Sequence, residues 1–175
     1  MHSLIGLIVY ATSRTEALRL ANERLEFMCG EDGQPFDWGF TMDKPGARWG
    51  IKPVVMTAHG QRGQRFLRRL MGYTEKAFRY SLGLLRKQVE KYNDDELYEQ
   101  RHGNDIDLAG FRYRARATGV YCGGEVHLYD NDCEGIHGQA HLDDALDRWE
   151  RLGGMRKVDE YAGLTVYVVP ADVSY

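Results

Sequence analysis

The sequence predicts an α+β fold, arranged as a ferredoxin-like two-layer sandwich. Its 175 residues suit one domain. The apolar fraction of 43% and the charged fraction of 28% are typical of a globular protein. The periodic segments follow the order strand, helix, strand, strand, long helix, hairpin, helix, strand. We interpret the opening and closing strand–helix–strand segments as the two halves of the sandwich.

The first strand and the first helix have the clearest local signals. Leu4–Tyr10 is apolar at nearly every position, which predicts a strand that is covered on both faces. Ser13 and Glu16 form a capping box, in which each side chain satisfies a backbone amide at the start of a helix. Apolar residues at helical spacing then continue to Met28, and Gly30 is suited to end the helix.

The later elements follow from turn residues and from periodicity. The predicted segments are a strand at 36–42, a strand at 51–57, a long helix at 61–92, a hairpin at 111–129, a helix at 141–152 and a strand at 164–169. Pro53 indicates an edge position for its strand, and Pro170 is predicted to end the last strand. We expect one domain, residues 1–175, in which the long helix and an acidic connector at 93–110 form an insertion.

Several classes of protein are excluded by composition and motifs. Three cysteines are too few for a disulfide scaffold and favour free thiols in a reducing compartment, so we predict a cytoplasmic protein. No apolar run approaches the roughly 18–20 residues that a membrane span needs, and the first residues do not resemble a signal peptide. The sequence has no Gly-x-Ser-x-Gly elbow, Walker A loop or Rossmann fingerprint, which favours a non-enzymatic role.

The charged residues are sorted into blocks along the chain. Residues 60–92 carry nine basic and two acidic side chains, whereas residues 93–110 carry one basic and six acidic side chains. Residues 130–175 carry four basic and ten acidic side chains. Sorted charge of this kind produces local electrostatic fields that act on charged partners.

The long helix is predicted to have one apolar face and one basic face. At 100° per residue, the basic face collects Arg65, Arg69, Lys76, Arg79 and Arg86. Arginine outnumbers lysine in this block, which favours bidentate contacts with phosphate. Two alternatives remain: a solvated surface that the acidic connector neutralises, or a surface for an acidic protein partner.

A glycine-containing loop precedes this helix. It consists of His59, Gly60, Arg62, Gly63 and Arg65 with the intervening glutamines. Backbone amides at a helix N-terminus bind anions, and the two arginines add side-chain contacts. The spacing of the two glycines resembles the loop that clamps nucleotides in KH domains, although the long helix that follows differs from that fold. The alternative is an ordinary strand-to-helix turn.

A second basic segment lies in the predicted hairpin. Arg112, Arg114 and Arg116 alternate with apolar residues, so a strand places all three on one face. We weigh two interpretations: an exposed face with cross-strand partners such as Glu125, or a continuation of the basic helix in one positive groove.

Two patterns raise the possibility of a metal ion. Cys133, His137 and His141 have the close spacing of zinc ligands, with Cys122 or His127 as a fourth. The segment that contains Asp130, Asp132, Glu134 and Gly135 resembles the opening of a calcium-binding loop. The alternatives are a core cysteine and a tight acidic turn. Our first prediction is therefore that the protein has no cofactor, and the second is that it binds zinc or calcium.

The acidic connector supplies the alternative of an enzyme. Its candidate residues are Asp94, Asp95, Glu96, Glu99, His102, Asp105 and Asp107. A metal-dependent hydrolase or nuclease needs carboxylates that converge on a divalent cation, and a solvated acidic loop has the same composition.

We therefore predict a non-enzymatic module whose basic helix and glycine loop bind a polyanion, either nucleic acid or a phosphorylated ligand. One alternative is a homo-oligomer, in which acidic residues 130–175 of one copy contact the basic helix of another. The other is a divalent-metal-dependent hydrolase or nuclease that uses the carboxylates of residues 94–107.

Overall fold

A computed structural model describes residues 2–30, 35–91, 126–154 and 163–174. The elements in chain order are β1 (His2–Ala11), α1 (Arg14–Phe27), β2 (Trp38–Thr41), β3 (Met56–Thr57), α2 (Gln61–Lys91), β4 (Leu128–Tyr129), α3 (Gln139–Gly154) and β5 (Thr165–Ser174). The mixture of three helices and five strands in these ranges confirms the α+β class.

The chain divides into two compact units. The first consists of Met1–Tyr73 and Val126–Tyr175, and it contains the sheet, α1, α3 and the first turns of α2. The second is Thr74–Glu125, whose described part is the remainder of α2. The acidic connector of the predicted insertion, residues 93–110, and most of the predicted hairpin lie outside the described residues. The single-domain interpretation stays a prediction.

The five strands form a mixed sheet with the order β2-β5-β1-β4, and β3 also pairs with β5. β1 is parallel to β4 and antiparallel to β5. β2 and β3 are both antiparallel to β5. The last strand therefore lies beside the first one, and the ferredoxin-like arrangement is not confirmed.

β1 is buried on both faces, as its continuous apolar sequence predicts. Its even-numbered residues, such as Leu4 and Ile8, contribute to a core that includes α2 and α3 residues. Its odd-numbered residues, such as Ile5 and Leu7, contribute to a second core with α1. In the first unit, helices thus cover both faces of the sheet, and β1 belongs to both cores.

Ser13 caps α1 as predicted, whereas the Glu16 side chain bonds to Thr12, one residue before the N-cap. The Ser13 hydroxyl accepts a hydrogen bond from the Glu16 amide at 3.2 Å. The Glu16 carboxylate accepts one from the Thr12 amide at 2.7 Å and another from the Thr12 hydroxyl. These bonds lower the pKa of the Glu16 carboxyl. Together these bonds stabilise the start of the helix at Arg14.

Pro170 does not end the last strand, which continues to Ser174. Gly6 is the partner of Pro170 in β1, and its amide donates to the His127 carbonyl on the β4 side. The Gly6–Pro170 pair is therefore not hydrogen-bonded. The Pro170 nitrogen, which carries no hydrogen, consequently faces the side of β5 that pairs with β2 and β3. β3 pairs with residues 167–168 and β2 with residues 171–174, so Pro170 lies at the gap between them.

Two glycines let α2 lie close to the sheet and to the end of β3. A Cβ atom on Gly6 would lie 2.6 Å from Cδ1 of Leu70 in α2. A Cβ atom on Gly63 would lie only 2.0 Å from the carbonyl oxygen of Thr57. By contrast, nothing lies within 4 Å of a Cβ on Gly72, and α2 continues through that residue without interruption.

We predict opposite effects for alanine at two glycines of this helix. Gly63→Ala is expected to destabilise the protein by about 1–3 kcal/mol, because a backbone carbonyl occupies the space that its methyl group needs. Gly72→Ala is expected to stabilise it by up to about 1 kcal/mol through helix propensity. Urea denaturation of both variants measures the difference, and equal effects at the two positions would contradict the proposed packing.

Candidate functional site

The N-terminus of α2 borders a small cavity of about 260 Å³. The cavity is lined by Arg14, Pro53, Met56, Thr57, Gly60, Gln61, Arg62 and Gly63. The Gly60 amide donates to the Thr57 carbonyl at 3.1 Å, and the Gly60 carbonyl accepts from the Gln64 amide at 2.9 Å. The amides of residues 61–63 precede the first intrahelical donor, so they have no acceptor within the helix. The lining of the cavity thus combines the first residues of the helix with two arginines.

Arg14 is a lining residue that sequence reasoning missed. It is the first residue of α1, and its side chain is exposed. Nothing near it in the sequence links it to the loop at 59–65. Only the tertiary structure shows that Arg14 and Arg62 line the same cavity. His59, the other end of the predicted loop, is exposed beside Gly60.

The first turns of α2 present a group of exposed arginines. These are Arg62, Arg65, Arg68 and Arg69. None of the four forms an ion pair with a carboxylate among the residues that the structure describes. The first turn of the helix also contains no acidic residue. This end of the helix is therefore a concentration of positive charge, to which the helix dipole adds.

Tyr73 fixes the position of one of these arginines. The Nε of Arg69 donates to the Tyr73 hydroxyl at 2.6 Å, and the guanidinium carbon lies 5.4 Å from the centre of the Tyr73 ring. The Tyr73 ring also makes an edge contact with His127, 5.4 Å between ring centres. Arg69 is thus held against an aromatic ring.

The other predicted basic-face residues belong to the second unit. Lys76, Arg79 and Arg86 are all exposed there. Arg79 forms an ion pair with Glu75, 2.6 Å from nitrogen to oxygen, so its charge is partly compensated. Arg112, Arg114 and Arg116 lie outside the described residues, as do the carboxylates at 94–107.

The acidic loop after β4 is a hydrogen-bonded turn. The Asp130 carboxylate accepts the amides of Asp132 and Glu134, both at 2.9 Å, and Asp130 itself is buried. One of its oxygens is therefore committed to the backbone. Turn formation accounts for the aspartate at this position without a bound calcium ion.

The described residues include no group of three or more His, Cys, Asp or Glu side chains that is arranged to hold a metal ion. Cys133, His137 and His141 are described, but they are not assembled as a ligand set. Burial raises the pKa of the Cys133 thiol, and the opposing effect of nearby Arg24 is smaller. Burial, followed by the neighbouring His141, lowers the pKa of His137. Burial likewise raises the pKa of Cys29, so this thiol is not activated as a nucleophile.

A buried carboxylate cluster is a second feature that sequence reasoning missed. Asp172 in β5 is fully buried. It accepts hydrogen bonds from Nδ1 of His2 at 3.0 Å, from the Arg48 amide at 2.9 Å and from Nε1 of Trp49 at 3.2 Å. The partners lie more than 120 residues away in sequence, so no local pattern could reveal the cluster. It connects both ends of the chain to the loop that precedes β3.

Residues 1–175 match the family described as Domain of unknown function (DUF7995), and the chain therefore belongs to that family. The comparisons with curated proteins and with solved structures gave no match. Within the described ranges, every helix is too short or too polar to cross a membrane.

We predict that the Asp172 cluster contributes strongly to stability. Asp172→Ala should destabilise the protein by about 1–3 kcal/mol, because it removes the acceptor from one imidazole, one indole and one backbone amide. Asp37→Ala, which removes an exposed carboxylate, is the control and should change stability by less than about 0.5 kcal/mol. Urea denaturation checks both values, and similar small effects would show that the cluster is dispensable.

Proposed function

We propose that this member of the family is a polyanion-binding module, which contacts phosphate groups through the first turns of α2. We call Arg14, Gly60, Arg62, Gly63, Arg65 and Arg69 the α2 anion site. The observation that carries the proposal is one cavity whose lining includes Arg14, Arg62 and the first residues of the helix. Arginine side chains and the amides of a helix N-terminus are the donors that phosphate prefers.

Electrostatics supports an anionic ligand. Arg62, Arg65 and Arg69 lie within two turns of one another, so their charges repel. No carboxylate among the described residues forms an ion pair with them. A bound anion would relieve this repulsion and would also interact with the positive end of the helix dipole.

The size of the cavity indicates how a polymer would bind. At about 260 Å³, the cavity lies just below the range of roughly 300–1,000 Å³ that is usual for drug-sized ligands. We infer that one phosphate group occupies the cavity, while the adjoining phosphates contact Arg65 and Arg69 on the helix surface. Within the described part of the chain, the residues that line the cavity include no aromatic ring on which a base could stack. Recognition should therefore depend on the backbone of a nucleic acid and be largely independent of its sequence.

A binding assay with single-stranded RNA tests the proposal. The anisotropy of a fluorescein-labelled oligonucleotide is measured between about 50 mM and 200 mM salt, and the affinity should fall by about 0.7 decade per decade of salt for each phosphate contacted. Arg62→Glu should weaken binding by about tenfold and reduce this slope. Arg19→Glu is the matched control, because it makes the same charge change on α1 at an exposed ion pair with Glu23.

The possible results distinguish the polyanion-binding module from the homo-oligomer and from the hydrolase. Absent binding, or binding that does not depend on salt, would contradict the proposal. Equal losses in Arg62→Glu and Arg19→Glu would show that only net charge matters. Association of the chain with itself at low salt, measured by light scattering without nucleic acid, would favour the homo-oligomer instead. Binding of Mg²⁺ or Mn²⁺ together with cleavage of the oligonucleotide would favour the hydrolase.

A further inference from the structure

The outer edge of β2 carries backbone groups that face away from the sheet. The Leu4 carbonyl accepts a hydrogen bond from Nδ1 of His127, and the Gly6 amide donates to the His127 carbonyl. The backbones of both β1 residues therefore face β4. Their partners in β5 are Asp172 and Pro170, whose backbones must face the opposite direction, toward β2 and β3.

This alternation fixes the direction of every backbone group in β2. Phe40 is paired with Asp172, so the backbone of Phe40 faces β5. The backbones of Gly39 and Thr41 then face outward. The Thr41 carbonyl already accepts the Lys44 amide at 3.0 Å. Among the described residues, the amide and carbonyl of Gly39 have no such backbone partner, so they form an open strand edge.

A large groove lies along this edge. Its volume is about 800 Å³, and its walls are residues of α1, β2 and the loop that follows β2. A Cβ atom on Gly39 would lie 3.1 Å from Leu25 and 3.3 Å from the sulfur of Cys29. The absence of a side chain at Gly39 thus lets α1 pack closely against the inner side of the groove. The exposed ring of Phe40 and the half-buried ring of Trp38, 5.2 Å apart, supply the apolar surface.

The charges in the groove are separated along its length. Asp37 directly precedes β2. Glu26 lies in the last turn of α1, shortly before the isolated β-bridge that joins Cys29 to Phe36. Lys44 lies past the other end of the strand. None of these three forms an ion pair among the described residues. The groove therefore has an acidic end and a basic end.

We propose that the groove binds an extended peptide segment of a partner protein, which adds to the sheet as a strand beside β2. An extended backbone is the ligand that matches an outward amide and carbonyl on a strand edge. A basic side chain of the peptide meets Asp37 and Glu26, an acidic one approaches Lys44, and an apolar one contacts Phe40. The site is separate from the α2 anion site and does not depend on it.

The first probe is a five-residue peptide with the sequence lysine, valine, threonine, valine, glutamate, blocked at both ends and labelled with fluorescein. The same peptide with N-methylated valine and threonine amides keeps the side chains and loses backbone donors. We expect the N-methylated peptide to bind about tenfold more weakly. A peptide with glutamate at both ends should also bind more weakly, because one of its charges must approach Asp37.

Charge reversal in the protein gives the second arm. Asp37→Lys should weaken binding of the lysine-containing peptide and strengthen binding of the peptide with two glutamates. Asp143→Lys changes an exposed acidic residue of α3 outside the groove and should alter neither affinity. Circular dichroism confirms that each variant is folded. RNA binding by Asp37→Lys should stay at or above the wild-type level, which distinguishes this site from the α2 anion site.

Three results would overturn the inference. The first is no saturable binding of the peptide below about 1 mM. The second is equal binding of the N-methylated peptide, which would exclude strand pairing. The third is self-association of the unliganded chain that Phe40→Lys abolishes, which would identify a second copy of the chain as the occupant.

Discussion

The close contact between α2 and the end of β3 is the constraint on which the candidate site depends. Gly63 approaches the Thr57 carbonyl so closely that no other residue fits without moving the backbone. This contact holds the first turn of α2 against the end of β3, and the cavity at that junction is lined by both Arg62 and Arg14. The glycine is thus a packing requirement, and the proposed phosphate contacts follow from the geometry that the packing imposes.

The parts of the fold that the sequence predicted are those encoded locally. Ser13 and Glu16 define the start of α1, and the continuous apolar run around Leu4–Tyr10 indicates a strand with two buried faces. The strand order is not a local property. β1 pairs with β4 and β5, whose positions in the chain are far from it, and these pairings make the sheet mixed. The error at Pro170 has the same origin, because a proline is tolerated there only where β2 and β3 leave a gap.

The candidate site was predictable only where its residues are close together in the sequence. The loop from His59 to Arg65 is contiguous, so its glycines and arginines could be recognised together. Arg14 is nearly fifty residues away in the chain, and no spacing rule relates it to that loop. The buried partners of Asp172 and the outward backbone of Gly39 likewise depend on strand register. Register specifies which groups meet, and a single sequence does not contain that information in a short pattern.

We propose that the first turn of α2 and the arginines beside it form an anion site. The most direct test is an NMR titration of the labelled protein with inorganic phosphate, using sodium chloride at matched ionic strength as the reference. We expect saturable shifts of the backbone amides of Gln61, Arg62 and Gly63 together with the Arg14 side chain. Shifts that the chloride reference reproduces, or shifts confined to other parts of the chain, would contradict it.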